Sequence, residues 1–419
     1  MVKLCIITHS YPRFGEDWRS NFIESLARAY ARNGADVTVF VPYTVKFNRP
    51  MKDEYGIKIV NYKYVPFGRL HTIGYGHSMK SDLHVNLQDL FLMPFLLLVG
   101  TIRFAALLRK EKFDIIQAHW AVPNTLIAVF GRYLAFSRAA ILTSFPGSDV
   151  TVIKRMGLLG RLFLKIIAKS DYLSCNSADL REDLEGLGLE KGRVDFVIYG
   201  VDEKKICFSE EARRRVRGEL GIPGDGLVLL MIGRFVPKKG FSTAFESLKL
   251  ITEKMNNVTM VVVGDGPMRA EYDEILRRDG TGRYVRFVGE ILPRELAGYY
   301  SACDIFLMPS CRLPSDGLNV VVPEAMACGR PIVATPVGGN DLVVFDGENG
   351  WLHEEHNARQ LADCVGRLAA DPAMRTRMGE NSLRMIRERF NWDSIAQYCL
   401  ARYRDSGRRD GRQADGEAY

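Results

Sequence analysis

Residues 227–240 read Leu-Val-Leu-Leu-Met-Ile-Gly-Arg-Phe-Val-Pro-Lys-Lys-Gly and set the class of the fold. The first six residues are continuously apolar, which is typical of a strand buried on both faces of a parallel sheet. Arg234 follows this strand, and Lys239 precedes the next helix. Ligands of parallel sheets bind at the carboxyl ends of the strands, and a helix N-terminus attracts anions. The segment therefore predicts a phosphate site, with Arg234 as a bidentate donor and Lys239 as a point charge.

A second informative segment, residues 316–329, reads Asp-Gly-Leu-Asn-Val-Val-Val-Pro-Glu-Ala-Met-Ala-Cys-Gly. It places two carboxylates, Asp316 and Glu324, eight positions apart, with a loop between them and a predicted helix at 324–328. Two carboxylates can bind sugar or ribose hydroxyls, while a turn residue and helix N-terminal stabilisation are the structural alternatives. Backbone amides of the loop can serve phosphates, and its residues are Gly317, Leu318 and Asn319. Cations for a diphosphate and acids for hydroxyls together suit a nucleotide-sugar.

Length and composition exclude several classes of protein. The chain has 419 residues, 47% of them hydrophobic, which favours two domains. A net charge of +7 suits an anionic ligand or an anionic membrane surface, and no aromatic-basic module typical of nucleic-acid binding occurs. The eight cysteines form no CxxC pair, so we expect reduced core cysteines in a reducing compartment and no zinc site.

Short apolar strands alternate with helical stretches along the chain, which predicts α/β domains with parallel sheets. A polar, charged segment near residue 200 interrupts the rhythm, so we expect domains at 1–200 and 201–389, a helix at 390–404 and a disordered tail at 405–419. The predicted strands are 4–8, 36–41, 115–117, 140–144, 172–175 and 194–198 in the first half, and 227–232, 259–263, 285–288, 305–309, 331–334 and 350–352 in the second.

Other candidate residues also end strands. His119 closes the apolar segment that starts at Phe113, so we expect its side chain to face an open edge and to donate a hydrogen bond to a sugar hydroxyl. His9 ends the first strand, but its neighbours indicate no ligand, and a structural role is favoured there. Gly264 lies in a GxG turn, which is weak evidence for nucleotide binding without a third glycine.

Two segments bear on membrane contact. Residues 90–102 are apolar over 13 positions, short of the roughly 20 needed to span a bilayer, so we expect a helix entry or an interfacial patch. Residues 151–169 are amphipathic and basic, and they fit either core packing with a solvated basic face or docking on an anionic membrane.

Taken together, these motifs resemble the family 4 retaining glycosyltransferases of the GT-B fold. The resemblance covers the chain to about residue 404. The matching motifs, beyond the two segments above, are Gly264-Asp265-Gly266-Pro267, Arg286-Phe287-Val288-Gly289, Met308-Pro309-Ser310 and Ala334-Thr335-Pro336-Val337-Gly338-Gly339. It implies two Rossmann-like domains facing each other across a cleft, with the last helix returning to the first domain.

The resemblance also implies residue roles. Arg234 and Lys239 would hold the donor diphosphate and stabilise its leaving charge, and Glu324 would bind the donor ribose. His119 and Asp316 would contact the donor sugar, although the family usually has Glu where this chain has Asp316. The implied donor-binding set is Gly15, Gly233, Arg234, Lys239, Gly264, Glu290, Ile291, Asp316, Gly317, Leu318, Asn319 and Glu324, in which Gly15 lies near phosphates and acceptor and Glu290 and Ile291 lie near the base.

The function implied is transfer of a sugar from a nucleotide-sugar to a hydroxyl of a glycan or glycolipid, with neither metal nor cofactor. We expect a cytoplasmic protein that can be peripheral on the inner face of the membrane and that does not bind nucleic acid. One alternative is a catalytically silent nucleotide-sugar-binding protein of the same fold. A Rossmann-type dehydrogenase would need a complete GxGxxG and an acid for the ribose, which the sequence lacks.

Overall fold

The computed structural model describes residues 1–14, 17, 20–74, 79–81, 84–85, 87–312 and 317–406. The chain forms two compact units. The first contains Met1–Asn176, Leu180–Val197 and the chain from Trp392 onward, and the second contains Ser177–Asp179 and Ile198–Asn391. The chain passes from the first unit to the second between Val197 and Ile198, and it returns to the first unit between Asn391 and Trp392.

The first unit is built on a parallel sheet of seven strands in the order β3-β2-β1-β6-β7-β8-β9. The separate β4–β5 pair is antiparallel. The strands are β1 (Val2–Ile7), β2 (Ala35–Pro42), β3 (Lys58–Tyr62), β4 (Met79–Ser81), β5 (His84–Val85), β6 (Ile115–His119), β7 (Ala140–Phe145), β8 (Tyr172–Cys175) and β9 (Val194–Phe196). The edge strand β3 was not predicted, because it is short and mixes polar with apolar residues.

Six helices of this part of the chain alternate with the strands. They are α1 (Asn21–Arg32), α2 (Leu87–Lys110), α3 (Leu126–Ala135), α4 (Ser148–Arg155), α5 (Leu158–Ile167) and α6 (Ala178–Gly186). Two predictions were wrong in extent. Helix α2 continues through Pro94 and Gly100 and is 24 residues long, and the basic segment at 151–169 is divided between α4 and α5 at Gly157, whose φ is +56°.

The second unit repeats the pattern with a six-stranded parallel sheet in the order β12-β11-β10-β13-β14-β15. All six strands were predicted: β10 (Leu227–Ile232), β11 (Val258–Val263), β12 (Val285–Gly289), β13 (Ile305–Met308), β14 (Ile332–Ala334) and β15 (Gly350–Leu352). In chain order this is third, second, first, fourth, fifth, sixth, the arrangement of a doubly wound dinucleotide-binding sheet.

The helices of the second unit pack on this sheet around an aromatic core. Phe235, Phe241, Phe245 and Tyr272 are fully buried there, with ring centroids about 5–6 Å apart. The helices are α7 (Glu210–Glu219), α8 (Phe241–Thr252), α9 (Arg269–Asp279), α10 (Leu296–Ala302), α11 (Val321–Ala327), α12 (Ala358–Ala370) and α13 (Pro372–Met385).

The last helix, α14 (Trp392–Ser406), belongs to the first unit and packs against α1. The hydroxyl groups of Tyr30 and Tyr403 lie 3.4 Å apart, and Arg32 forms an ion pair with Asp393. The helix extends two residues into the tail that was predicted to be disordered, and the rest of that tail lies outside the described residues.

A glycine turn joins β10 to α8 and fixes the route of the chain. Gly240 has φ +70°, and a Cβ atom there would lie 1.6 Å from the carbonyl oxygen of Pro309. Only glycine fits this position, because any side chain would meet both left-handed strain and a backbone clash.

We expect Gly240→Ala to lower the free energy of unfolding by about 2–4 kcal/mol. Gly218→Ala is the matched control, because Gly218 lies within α7 and a Cβ there meets no atom within 4 Å. Helix propensity should make this control neutral or stabilising by up to about 1 kcal/mol. Urea unfolding of both variants measures the difference, and equal stability would contradict the steric argument.

Candidate active site

The order of strands in the second unit creates a switch point between β10 and β13, where the chain continues to opposite sides. Ligands of such sheets bind outside the carboxyl ends of the strands at this point. Gly233 and Arg234 follow β10 there, and residues 309–312 follow β13. Two contacts of Cys311 hold these loops together. Its backbone N–H donates to the carbonyl oxygen of Lys238 at 2.9 Å, and its thiol donates to the carbonyl oxygen of Pro237 at 3.1 Å.

The side chain of Lys239 spans the switch point between the loop after β10 and the loop after β13. This residue ends a short 3-10 turn (Pro237–Lys239) before α8, and its ammonium donates a hydrogen bond of 2.6 Å to the side-chain carbonyl oxygen of Asn319. A Cβ atom at Gly233 would lie 3.6 Å from the Lys239 stem, so the stem passes close to the backbone at Gly233. Arg234 is exposed beside them. The two sequence segments that predicted the site therefore meet in space.

Asn319 has a structural role that the sequence did not predict. Its backbone N–H donates to the carbonyl oxygen of Gly338 at 3.1 Å, so this amide is already used within the protein. Its side-chain amide donates to Ser310 Oγ at 3.2 Å and to Asn340 Oδ1 at 3.1 Å. These bonds leave the side-chain carbonyl oxygen directed at Lys239. Asn319 is 4% exposed and acts as a positioning residue for the lysine.

The loop around Asn319 is only partly described. Gly317 and Leu318 are buried beside it. The predicted residues Asp316 and Gly15 lie outside the described residues, so their side chains are not placed.

Glu324 lies in α11, which begins at Val321 and not at Glu324 as predicted. Its Oε2 accepts a hydrogen bond of 2.6 Å from the hydroxyl group of Tyr300. Burial raises the pKa of the Glu324 carboxyl group to about 7, and the hydrogen bond from Tyr300 lowers it by a smaller amount. The carboxyl group thus changes charge near neutral pH. Tyr300 was not singled out from the sequence, because nothing in the sequence pairs residues of α10 and α11.

Glycines bring the ends of β11 and β12 close to β10. Gly264 has φ +129°, and a Cβ there would lie 2.0 Å from the carbonyl oxygen of Gly233. Gly264 N–H donates to the carbonyl oxygen of Gly289 at 2.7 Å. Glu290 and Ile291 follow at the edge strand, the first exposed and the second half-buried. Close backbone packing therefore requires glycine at position 264, whether or not the turn contacts a nucleotide.

His119 ends β6 in the first unit, and its side chain is 1% exposed. The ring is enclosed by protein and not open to solvent, and it lies edge-on to Phe22 at 6.2 Å between centroids. Its contact with a donor sugar stays a prediction. Neither ring nitrogen has a hydrogen-bond partner among the described residues. Burial lowers the pKa of His119 to about 3, so the imidazole is neutral and retains one donor and one acceptor.

Three residues around His119 were missed or assigned a structural role. Asn124 Nδ2 donates to the carbonyl oxygen of His119 at 2.6 Å and lies 3.0 Å from His9 Nδ1. The rings of His9 and Trp120 are 4.6 Å apart. They meet because β1 and β6 are neighbours in the sheet, a pairing between strands far apart in sequence. Only knowledge of this strand pairing would have linked His9 to His119 from the sequence.

The described residues contain no group of three His, Cys, Asp or Glu side chains placed to hold a metal ion. At the switch point of the second unit they instead provide two cations, a helix N-terminus and a carboxyl group. This set can bind a diphosphate and hydroxyl groups.

Comparison with known proteins agrees with this chemistry. The family model "Glycosyltransferase Family 4" matches residues 20–205, and the model "Glycosyl transferases group 1" matches residues 212–385. Each model thus falls on one of the two Rossmann-like halves of the chain.

Two curated relatives align over most of their length. A D-inositol 3-phosphate glycosyltransferase of Xylanimonas cellulosilytica is 28% identical over 408 residues, covering 93% of this chain and 91% of the relative. The N-acetyl-alpha-D-glucosaminyl L-malate synthase of Bacillus anthracis is 26% identical, covering 83% and 88%.

The crystal structure of HepE from Anabaena in complex with UDP superposes with a TM-score of 0.70 at 18% identity, covering 97% of this chain and all of the other. At this identity the likeness shows the fold, which is GT-B. With the two family models and the relatives, it establishes that the chain is an enzyme and belongs to the group 1, family 4 glycosyltransferases.

Proposed function

We propose that this glycosyltransferase moves a hexose-type sugar from a nucleotide-sugar to a hydroxyl group, with retention of anomeric configuration, in the assembly of a cell-surface polysaccharide or glycolipid. The hydrogen bond between Lys239 and Asn319 carries the proposal, because it places a fixed cation at the switch point of a dinucleotide-type sheet. The inositol phosphate and malate in the names of the two relatives both bear hydroxyl groups.

The central chemical step is departure of a nucleoside diphosphate. Negative charge grows on the diphosphate as the bond to the sugar breaks. Lys239 and Arg234 neutralise that charge, and the N-terminus of α8 adds a partial positive charge. Since Asn319 holds Lys239 before the substrate arrives, little reorganisation is needed during the reaction.

The remaining residues bind the donor and orient it. Glu324 accepts hydrogen bonds from the ribose hydroxyls, and Asp316 contacts the donor sugar. The backbone at Glu290 and Ile291 lies against the base. Gly264 allows the donor to approach the sheet closely.

In the first unit, neutral His119 donates one hydrogen bond to the donor sugar. Gly15 allows the phosphates and acceptor to approach the backbone. The family resemblance supports both roles and the retention of configuration.

The enzyme works in the cytoplasm, peripheral on the inner face of the membrane, and uses neither a metal ion nor a cofactor. Its partners are the nucleotide-sugar and a glycan or glycolipid acceptor, and it does not bind nucleic acid.

A catalytically silent nucleotide-sugar-binding protein of the same fold is the competing function, favoured only by Asp316 in place of Glu. A panel of nucleotide-sugars, each assayed for donor hydrolysis with and without EDTA, separates the two. We expect hydrolysis of one donor at a rate that EDTA leaves unchanged. Saturable binding with no hydrolysis and no transfer would favour the silent protein, and loss of activity in EDTA would contradict metal independence.

Lys239→Ala should lower kcat/KM by about 100-fold or more, as is typical when a charge that stabilises the transition state is lost. Lys238→Ala is the matched control, because it removes the same charge one residue away while keeping the backbone carbonyl that Cys311 uses. We expect kcat/KM of the control to stay within about threefold of the wild type. Near-normal turnover by Lys239→Ala would refute the role assigned to this lysine.

Donor affinity should rise with pH through about 7, where Glu324 ionises. Below that pH the carboxyl group is protonated and accepts hydrogen bonds from ribose hydroxyls poorly, and above it the carboxylate accepts them well. An intact nucleotide-sugar is the right probe, since its diphosphate does not titrate in this range.

Calorimetric titration of the donor across this pH range measures the effect. Glu324→Gln should abolish the pH dependence, whereas Tyr300→Phe should shift its midpoint upward by removing the hydrogen bond that lowers the pKa. A pH profile that is unchanged in Glu324→Gln would assign the dependence to another group.

A further inference from the structure

Helix α2 has two apolar sides, and only one of them is covered. One stripe lies in the core of the first unit, with Leu92, Leu96, Phe104 and Leu108 at most 5% exposed. The other stripe is open to solvent: Leu90 (61% exposed), Phe91 (73%), Phe95 (45%), Leu98 (62%) and Ile102 (54%). Large apolar side chains at this spacing form a continuous row along a helix.

Neighbouring helices extend this apolar surface. Helix α3 packs against both α2 and α5. Exposed apolar side chains continue on α3, immediately after it and on α5: Phe130 (45%), Tyr133 (79%), Phe136 (88%), Leu158 (84%), Leu159 (48%) and Leu162 (54%). Contiguous exposed apolar side chains of this kind mark a surface that contacts another body.

The charges on these helices are almost all positive. Helices α2 to α5 carry eight lysines and arginines against two aspartates, in a chain whose net charge is +7. Both aspartates, Asp89 and Asp149, are buried, so the outer surface of the four helices presents cations and no carboxylate. Arg161 and Lys165 are exposed one turn from Leu158 and Leu162. Long basic side chains beside apolar ones suit a bilayer interface, where the stem is buried and the charge reaches the headgroups.

We propose that the exposed sides of α2, α3 and α5, called here the docking face, bind the surface of a bilayer that contains anionic phospholipids. This deepens the proposed function and rests on it in one respect, namely that a glycolipid acceptor lies in that membrane. The contact is interfacial. Helix α2 has the length and composition of a membrane span, but its inner stripe belongs to the core of a soluble sheet domain and cannot leave it.

A second copy of the chain suits this face less well. A two-fold interface would bring the same basic surface against itself, with cations opposing cations. Arg132 already pairs with Asp171, but Arg161 and Lys165 are exposed on α5. An anionic bilayer offers acyl chains to the apolar residues and phosphate groups to these exposed cations.

The topology places part of the docking face at the carboxyl edge of the first sheet. Each of α2 and α5 directly precedes a strand of a parallel sheet, so its N-terminus lies at the carboxyl edge of that sheet. Phe91 and Leu158 are near these N-termini, and His119 ends β6 at the same edge. Tyr133 and Phe136 lie at the C-terminal end of α3, toward the opposite edge, so the docking face runs along the helices from one edge of the sheet to the other.

Sedimentation of the full chain with vesicles tests the proposal. We expect binding to vesicles containing roughly one-third phosphatidylglycerol and much weaker binding to phosphatidylcholine alone. Two double variants, Phe91→Ser with Leu98→Ser and Arg161→Glu with Lys165→Glu, should each weaken binding at least about tenfold. The charge control is Lys191→Glu with Lys249→Glu, which makes the same change in net charge at exposed positions off the docking face and should bind nearly as the wild type does.

Donor hydrolysis without vesicles is measured on every variant, so that failure of the docking face and failure of the proposed function are separated. We expect that rate to be unchanged in all of them, which also shows that they fold. Absence of wild-type binding to anionic vesicles, or equal weakening by the control pair, would overturn the proposal. So would variants that bind vesicles normally but convert a dimer to a monomer in sedimentation equilibrium, since the face would then be a contact between copies.

Discussion

The hydrogen bond from the Lys239 ammonium to the side-chain carbonyl oxygen of Asn319 is the interaction on which the site in the second unit depends. It links the loop after β10 to the loop after β13 across the switch point of the sheet. Asn319 can hold the lysine only because its own amide group is fixed by Ser310, Gly338 and Asn340. A long, flexible cation is thereby given one position before any ligand binds, which lowers the entropy lost on binding.

Burial controls the charge of the other candidate groups. His119 stays neutral because its ring is removed from solvent, and the Glu324 carboxyl group titrates near pH 7 for the same reason. Both shifts come mainly from desolvation and not from a neighbouring charge. Strongly shifted ionisable groups are concentrated at functional sites, although structural groups shift as well. The second unit therefore combines two permanent cations with a carboxyl group that titrates near pH 7, and the first unit holds a buried histidine that stays neutral.

The strands of the second unit and the two cations could be predicted from the sequence, because continuous apolar runs and the residues that follow them are local signals. The sequence did not predict the partners of those residues. Lys239 and Asn319 are 80 positions apart, and Tyr300 and Glu324 are 24 apart, so their contacts depend on strand order and helix placement. The burial of His119 was missed for a similar reason, since the residues around it come from α1 and from the segments after β1 and β6. Local sequence patterns therefore predicted where in the chain the candidate residues lie, whereas the hydrogen-bond partners and burial of each side chain depend on tertiary contacts.

The return of α14 to the first unit has a consequence for how the molecule is made. A ribosome releases the amino-terminal sheet long before the helix that packs on α1 exists, and the whole second unit is synthesised in between. Until α14 has been synthesised, the surface of α1 around Tyr30 stays uncovered. The first unit is therefore complete only after α14 has packed on α1, and a fragment that ends at Val197 would leave this surface of α1 exposed.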